Sequence, residues 1–184
     1  MFMHSLVLIV LYTLSSSLYA AELSPNLGKK ASEQLIKQWN IDVFPNGKGL
    51  PKGRGTVAEG KKVYQQFCLA CHGVDGTGDS ADELAGASHT LTDNPPDKII
   101  GTYWPYATTL FDFTRRSMPL NSPGILNSNQ IYAVTAYILN LNGIIASEKV
   151  INAENLAKIK MPNRNGFINI YKKGKSSDYP TTAK

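Results

Sequence analysis

"QQFCLACHG", residues 65–73, contains the only two cysteines of the 184-residue chain, Cys68 and Cys71, followed directly by His72. Cys-x-x-Cys-His is the attachment pattern of c-type haem. Two thiols one helical turn apart can each form a thioether with a haem vinyl group, and the next imidazole then lies beneath the iron as its proximal ligand. The stretch therefore predicts one covalently bound haem c, with His72 as an iron ligand.

Two other uses of a Cys-x-x-Cys pair fit less well. A thioredoxin-like dithiol follows a strand, whereas the residues before Cys68 have a helical pattern, and His72 would have no role. A zinc site needs four ligands, and besides His72 the chain left after signal removal offers only His89 and no further cysteine. Haem attachment is the interpretation that uses all three residues of the motif.

The segments on either side of the motif predict two helices. Residues 56–67 and 127–143 each repeat apolar side chains at helical spacing, and the second segment ends at a glycine. Each begins with a capping-box pattern, Thr56 with Glu59 in the first and Asn127 with Gln130 in the second.

Glycine and aromatic residues predict how these two helices meet. Gly60 and Tyr64 lie one turn apart, which allows a second helix to approach closely, and Tyr137 is the expected partner. A shorter helix is predicted from Tyr106 to Arg115. Little other regular structure is needed, because the haem supplies much of the core. We therefore predict an all-α fold.

The opposite side of the iron needs a second ligand, unless that site is open. After removal of the predicted signal, the strong candidates are His89, Met118 and Met161. Met118 is favoured, because its loop lies between the haem motif and the last helix and Pro119 would stiffen it. Met161 could reach the iron only if the C-terminal arm folded back. His89 lies in a polar segment close to the motif and is expected at the surface or near a propionate.

Three further residues are candidates for contacts with the haem propionates. Arg115 and Arg116 can each bind a carboxylate in bidentate fashion, although both can equally be solvated surface residues. The indole N–H of Trp104 can donate to a propionate if the side chain is buried.

The two ends of the chain predict export and a basic tail. Residues 1–20 combine a short apolar run with a Ser-rich segment ending in Ala20, which indicates a cleaved signal peptide rather than a membrane span. The formal net charge is +5, and residues 149–184 carry eight Lys or Arg against Glu154 and Asp178. In an exported chain this tail is expected to aid solubility or docking, and no nucleic acid partner is predicted.

Five segments together resemble one known family: "WNIDVFPNGKGLPKGRGTVAEG", "CLACHG", "GTYWPYATTLFDFTRRSMP", "NQIYAVTAYILNLNGI" and "KMPNRNGF". They closely resemble the class I c-type cytochrome subunits of sulfane and sulfite dehydrogenases from the bacterial sulfur-oxidation (Sox) system, from about Leu27 to Phe167. Sulfane dehydrogenase subunits commonly carry two haems, whereas this chain has one motif. The Pro-x-Leu pattern common after the motif is replaced by "DELAG", residues 82–86, which leaves the backbone acceptor of His72 unidentified.

The resemblance implies a periplasmic electron-transfer subunit without catalytic activity of its own. Its donor would be a molybdenum-containing dehydrogenase subunit and its acceptor a small cytochrome c or an oxidase. The same resemblance implies that Met118 is the axial ligand. Two other functions stay open, namely a free electron shuttle to a terminal oxidase and a haem sensor or enzyme with an open sixth site.

The predicted organisation is a class I cytochrome c domain with two extensions. Its segments are a signal peptide at 1–20, an N-terminal extension at 21–53, the cytochrome c domain at 54–143 and a C-terminal extension at 144–184. The N-terminal extension is too apolar for a free tail and is expected to pack on the haem domain or a partner. Its apolar residues are Leu35, Ile36, Trp39, Ile41 and Val43. The last residues of the chain are polar and are expected to be disordered.

Overall fold

The computed structural model of the protein describes residues 27–169. The predicted signal peptide at 1–20 and the end of the basic tail, 170–184, lie outside the described residues. Among the regular elements of the described chain, all are helical apart from one short two-stranded sheet, as the all-α prediction requires. Between residues 27 and 169, no helix combines the length and the hydrophobicity needed to cross a membrane.

The described residues before Ile41, 27–40, belong to a unit separate from the rest of the described chain. Its described part contains helix α1 (Glu33–Trp39), which begins where the Ser32 hydroxyl accepts a hydrogen bond from the Leu35 N–H at 3.2 Å. The large apolar side chains of this helix are all well exposed: Leu35, Ile36 and Trp39 at 45%, 51% and 77%. Nothing within α1 covers these side chains, and their packing on the haem domain or on a partner stays a prediction.

The second unit begins at Ile41 and contains the haem motif. Its elements in chain order are strand β1 (Arg54–Thr56), helices α2 (Val57–Phe67), α3 (Leu69–His72), α4 (Ala107–Ser117) and α5 (Ser128–Leu141), and strand β2 (Val150–Asn152). Single 3₁₀ turns lie at Val74–Gly76 and Leu156–Lys158.

Helices α2 and α5 both begin at the predicted capping boxes. The Thr56 hydroxyl accepts the Glu59 N–H at 3.2 Å, and the Glu59 carboxylate accepts the Thr56 N–H at 2.8 Å. Asn127 and Gln130 make the same exchange at 3.0 and 2.9 Å. Hydrogen bonds donated by the Thr56 hydroxyl and N–H lower the pKa of Glu59. Both predicted helix starts are confirmed.

The two helices meet at the predicted glycine. A Cβ at Gly60 would overlap the Ala133 carbonyl oxygen and would lie 2.8 Å from the Tyr137 Cβ, so only glycine allows the helices to come this close. One turn further along, the rings of Tyr64 and Tyr137 lie 5.3 Å apart. Gly55 in β1 makes a similar approach to the Ala133 backbone. The predicted contact between the helices is confirmed.

The sheet joins the C-terminal extension to the core. Strand β2 pairs antiparallel with β1 and places Ile151 opposite a glycine. Ile151 and Leu156 are fully buried, and Met161 is 3% exposed. On the N-terminal side, Val43 is also buried. The core therefore extends beyond residues 54–143 at both ends, and the burial of Val43 agrees with the expectation that the N-terminal extension packs on the haem domain or a partner.

Helix α4 matches the predicted third helix and supports the loop that follows it. Leu110 and Phe111 are buried, and the Phe111 ring lies 4.5 Å from that of Tyr132 in α5. Phe113 faces outward and is 45% exposed. The helix ends at Met118, whose N–H donates to the Thr114 carbonyl oxygen at 3.1 Å.

Candidate haem-attachment site

Cys68 and Cys71 lie on one tight turn at the junction of α2 and α3. The Cys68 N–H donates to the Tyr64 carbonyl oxygen at 2.8 Å, which ends α2. The Cys68 carbonyl oxygen then accepts the N–H groups of Cys71 at 3.1 Å and His72 at 2.9 Å. Cys68 is half-buried and Cys71 is exposed. Burial, together with the neighbouring Cys71, raises the pKa of the Cys68 thiol to about 11.

The imidazole of His72 is held by a main-chain carbonyl. Its Nδ1 lies 2.8 Å from the carbonyl oxygen of Asp82. Because a carbonyl oxygen only accepts, Nδ1 carries the proton, and Nε2 is left as the nitrogen that can bind a metal. The acceptor that sequence analysis could not identify is therefore the first residue of the "DELAG" segment, acting through its backbone.

The loop after the motif folds back to bring this carbonyl into place. Its main chain is tied to the motif by the N–H of Gly78, which donates to His72 O at 2.9 Å, and by the N–H of Ala81, which donates to Cys71 O at 2.8 Å. The Tyr64 hydroxyl donates to Gly73 O at 2.8 Å. Burial raises the pKa of Tyr64 to about 12, so this hydroxyl stays a donor. Sequence analysis treated Tyr64 only as a packing residue.

Apolar side chains beside the motif and in the loop after it pack against the core and yet remain only half-buried. They are Phe67, Leu69 and Leu84. Two thiols on one turn, an imidazole with an available Nε2 and a half-exposed apolar surface together fit a porphyrin with vinyl groups and an iron. Within the described part of the chain, no group of three His, Cys, Asp or Glu side chains could hold a metal ion, so the zinc alternative lacks a ligand set.

The three candidates for the distal ligand have different environments. Met118 is half-buried and begins the loop after α4. Met161 is 3% exposed within the hydrophobic core. His89 is exposed and is held by Asp97, which accepts its backbone N–H at 2.8 Å and lies 3.4 Å from its Nδ1. Met118 as an iron ligand stays a prediction.

The three candidates for propionate contacts also have defined surroundings. Trp104 is half-buried, and its ring meets that of Phe113 edge-on at 5.9 Å. Arg115 donates to a backbone carbonyl of the N-terminal segment, and Arg116 binds two carboxylates of the protein. The two guanidinium groups thus have partners within the chain, and contacts of these three residues with propionates stay predictions.

A sequence profile of the family described as "Cytochrome c" matches residues 57–142. This stretch begins at the first residue of α2 and ends just after the last residue of α5. It therefore contains the Cys-x-x-Cys-His motif, the loop that holds His72 and the loop that begins at Met118.

Two comparisons with known proteins extend this match. A chain of the crystal structure of the sulfane dehydrogenase SoxCD from Paracoccus pantotrophus is 38% identical, with a TM-score of 0.74 over 86% of this chain and 78% of that chain. The thiosulfate dehydrogenase of Stutzerimonas stutzeri (strain A1501) is 32% identical over 93 residues, which cover 48% of this chain and 28% of that protein.

The geometry of the motif and the comparisons agree with the resemblance seen in the sequence. The turn supplies the thiols and the oriented imidazole that covalent haem needs, and the match to the SoxCD chain extends over most of both chains. The chain therefore belongs to the cytochrome c family, as an all-α class I c-type cytochrome that carries covalent haem c for electron transfer.

Proposed function

We propose that this chain is a periplasmic cytochrome with one haem, and that it accepts electrons from a molybdenum-containing dehydrogenase that oxidises a reduced sulfur compound. A small cytochrome c or an oxidase would then receive the electrons. The observation that carries the proposal is the similarity to a chain of a sulfane dehydrogenase over most of both chains. The second relative, a thiosulfate dehydrogenase, supports the same class of substrate.

The proposed iron ligands are His72 and Met118. The bond from His72 Nδ1 to Asp82 O supports the first, since a ligand imidazole is fixed and made more basic by such a bond. The burial of Met161 supports the second, because that side chain would have to leave the core to bind iron. One haem is proposed because Cys68 and Cys71 are the only cysteines.

The chain's own residues give this site the properties that outer-sphere electron transfer needs. Haem c bound through the two thiols supplies a one-electron couple between ferric and ferrous iron. Cys68 and Cys71 tether the group, and the half-buried apolar side chains around them exclude water from it. The hydrogen bonds that the carbonyl oxygens of Gly73 and Asp82 accept keep His72 in one orientation. The ligand therefore does not have to reorient when the iron gains or loses an electron. The periplasmic location is proposed from the signal pattern at 1–20 together with haem c.

The dehydrogenase partner is tested by purification from the native host. The full chain with a C-terminal affinity tag is isolated under mild conditions, and the molybdenum and haem of the eluate are measured. We expect about one molybdenum per haem, and we expect added sulfite or thiosulfate to reduce the haem.

The same preparation distinguishes the other two functions. A cytochrome recovered without molybdenum that a terminal oxidase oxidises rapidly would instead be a free electron shuttle. A ferrous protein that binds carbon monoxide without any lag would have an open sixth site. A Cys68→Ala, Cys71→Ala double variant, which cannot form thioethers, controls for capture of the dehydrogenase through contacts unrelated to the haem.

A further inference from the structure

Three consecutive residues of the N-terminal extension are fastened to the end of α4. We call residues 41–43 the strap. The Arg115 Nη1 donates to the carbonyl oxygen of Ile41 at 3.1 Å. The Arg116 Nη2 binds the carboxylate of Asp42. The remaining strap residue, Val43, donates its N–H to a carboxylate on α4.

Asp112 is the centre of this network. Its Oδ1 accepts the Val43 N–H at 2.7 Å and the Arg116 Nη2 at 3.1 Å, and its Oδ2 accepts the Arg116 Nε at 2.8 Å. Both oxygens of one carboxylate are thus used, and the guanidinium binds it in bidentate fashion. Bonds of this kind are stronger and more directional than a bond between two neutral groups.

The strap is also fixed on its other side. Val43 is 8% exposed and belongs to the hydrophobic core. The Phe44 N–H donates to Lys48 O at 2.9 Å, which closes a turn directly after the strap. A side chain at Gly49 would overlap the Asp42 carbonyl oxygen, so the backbone is close-packed there. The strap is therefore a fixed support and not a loose tail.

The supported part of α4 is the part that leads into Met118. The last turn of a helix has few internal bonds and frays readily. Met118 is joined to that turn by its N–H bond to Thr114 O at 3.1 Å. Arg115 and Arg116 lie within the same turn, and each binds a strap residue. Fraying of the turn would break these bonds as well as the bond of Met118.

We infer that Asp112, Arg115 and Arg116 are positioning residues that hold Met118 against the iron through the strap. This inference rests on the proposed ligation by Met118. In a folded protein without the network, the sulfur would leave the iron more often, and the sixth site would open to external ligands. Isolated surface ion pairs contribute little, but here three side chains act on one fixed segment of backbone.

The test measures ligation in folded variants. Asp112→Asn keeps the side-chain shape but turns an amide N–H toward Arg116, and it removes no arginine that could contact a propionate. Arg115→Gln and Arg116→Gln each remove one bond to the strap. Lys61→Gln, on the exposed face of α2, is the control that loses the same positive charge as these two arginine variants. Carbon monoxide association with the ferrous protein and the methionine charge-transfer band of the ferric protein are measured, with far-ultraviolet circular dichroism as the check on folding.

We expect Asp112→Asn and Arg116→Gln to raise the association rate of carbon monoxide about tenfold, which corresponds to about 1.4 kcal/mol in the opening equilibrium. Their methionine band should weaken while the dichroism and the control stay at wild-type values. Arg116→Lys, which keeps the charge but loses the bidentate bond, should be intermediate, and it provides the measurement if Arg116→Gln does not fold.

Two results would overturn the positioning role of the strap. The first leaves ligation by Met118 intact, and the second removes it. Wild-type rates and bands in all the folded variants would show that Met118 holds its position without the strap, with ligation by Met118 intact. A wild-type protein without any methionine band would overturn the proposed ligation, and the positioning role with it.

Discussion

Replacing Met118 by alanine is expected to abolish methionine ligation while the haem stays covalently attached. The thioethers form at Cys68 and Cys71, on a turn that does not depend on α4. The ferric charge-transfer band of methionine should disappear, and the ferrous protein should bind carbon monoxide. The reduction potential should fall by on the order of 0.1 V, a fraction of the roughly 0.8 V range that axial ligands control.

Met161→Leu is the matched control for this variant. Met161 lies in the core, and leucine has nearly the same volume, so the change should cost less than about 1.5 kcal/mol of unfolding free energy. Its methionine band should match that of the wild type. If the band instead survives in Met118→Ala and disappears in Met161→Leu, the ligand assignment is wrong and the C-terminal arm supplies the sulfur.

Replacing Gly60 by alanine is expected to destabilise the folded protein by about 3 kcal/mol, or to prevent folding, because overpacking a core typically costs about 1–3 kcal/mol and a direct overlap with backbone lies at the upper end. The added methyl would overlap the Ala133 carbonyl oxygen, which belongs to the backbone of α5 and cannot move aside alone. The free energy of unfolding by urea, measured on protein with haem attached, tests this expectation.

The sign of the Gly60→Ala effect separates packing from helix propensity. In an exposed helix, alanine in place of glycine would stabilise the protein by about 1 kcal/mol. Lys61→Ala, at the next and exposed position of α2, controls for substitution in this helix and should change stability by less than about 0.5 kcal/mol. A more stable Gly60→Ala protein would mean that α2 and α5 are further apart than described.

The features that could be predicted from the sequence are those that depend on residues close together in the chain. The haem motif, both capping boxes and the glycine at the crossing of α2 and α5 each depend on spacings of one to four residues, and such spacings are visible without a fold. The contact of Gly60 with Tyr137 was also predictable, because few positions in either helix are compatible with a close approach.

The contacts that escaped prediction join distant parts of the chain. Asp82 holds His72 through its carbonyl group, which every residue has, so no side-chain pattern marks it. The pairing of β1 with β2 joins strands of three residues each, too short for a periodic signal. The partners of Arg116 include Asp42, 74 positions away. Sequence analysis identified Arg116 as a carboxylate-binding residue but could not predict that the carboxylates belong to the protein.

The most direct test of the central claim is a spectroelectrochemical titration of the purified full chain. The ferrous haem absorbance and the ferric methionine band are recorded together as the potential is changed. One haem held by His72 and Met118 predicts a single one-electron wave, with the methionine band falling in step as the ferrous absorbance rises. A second wave, or a ferric protein without the methionine band, would contradict the account.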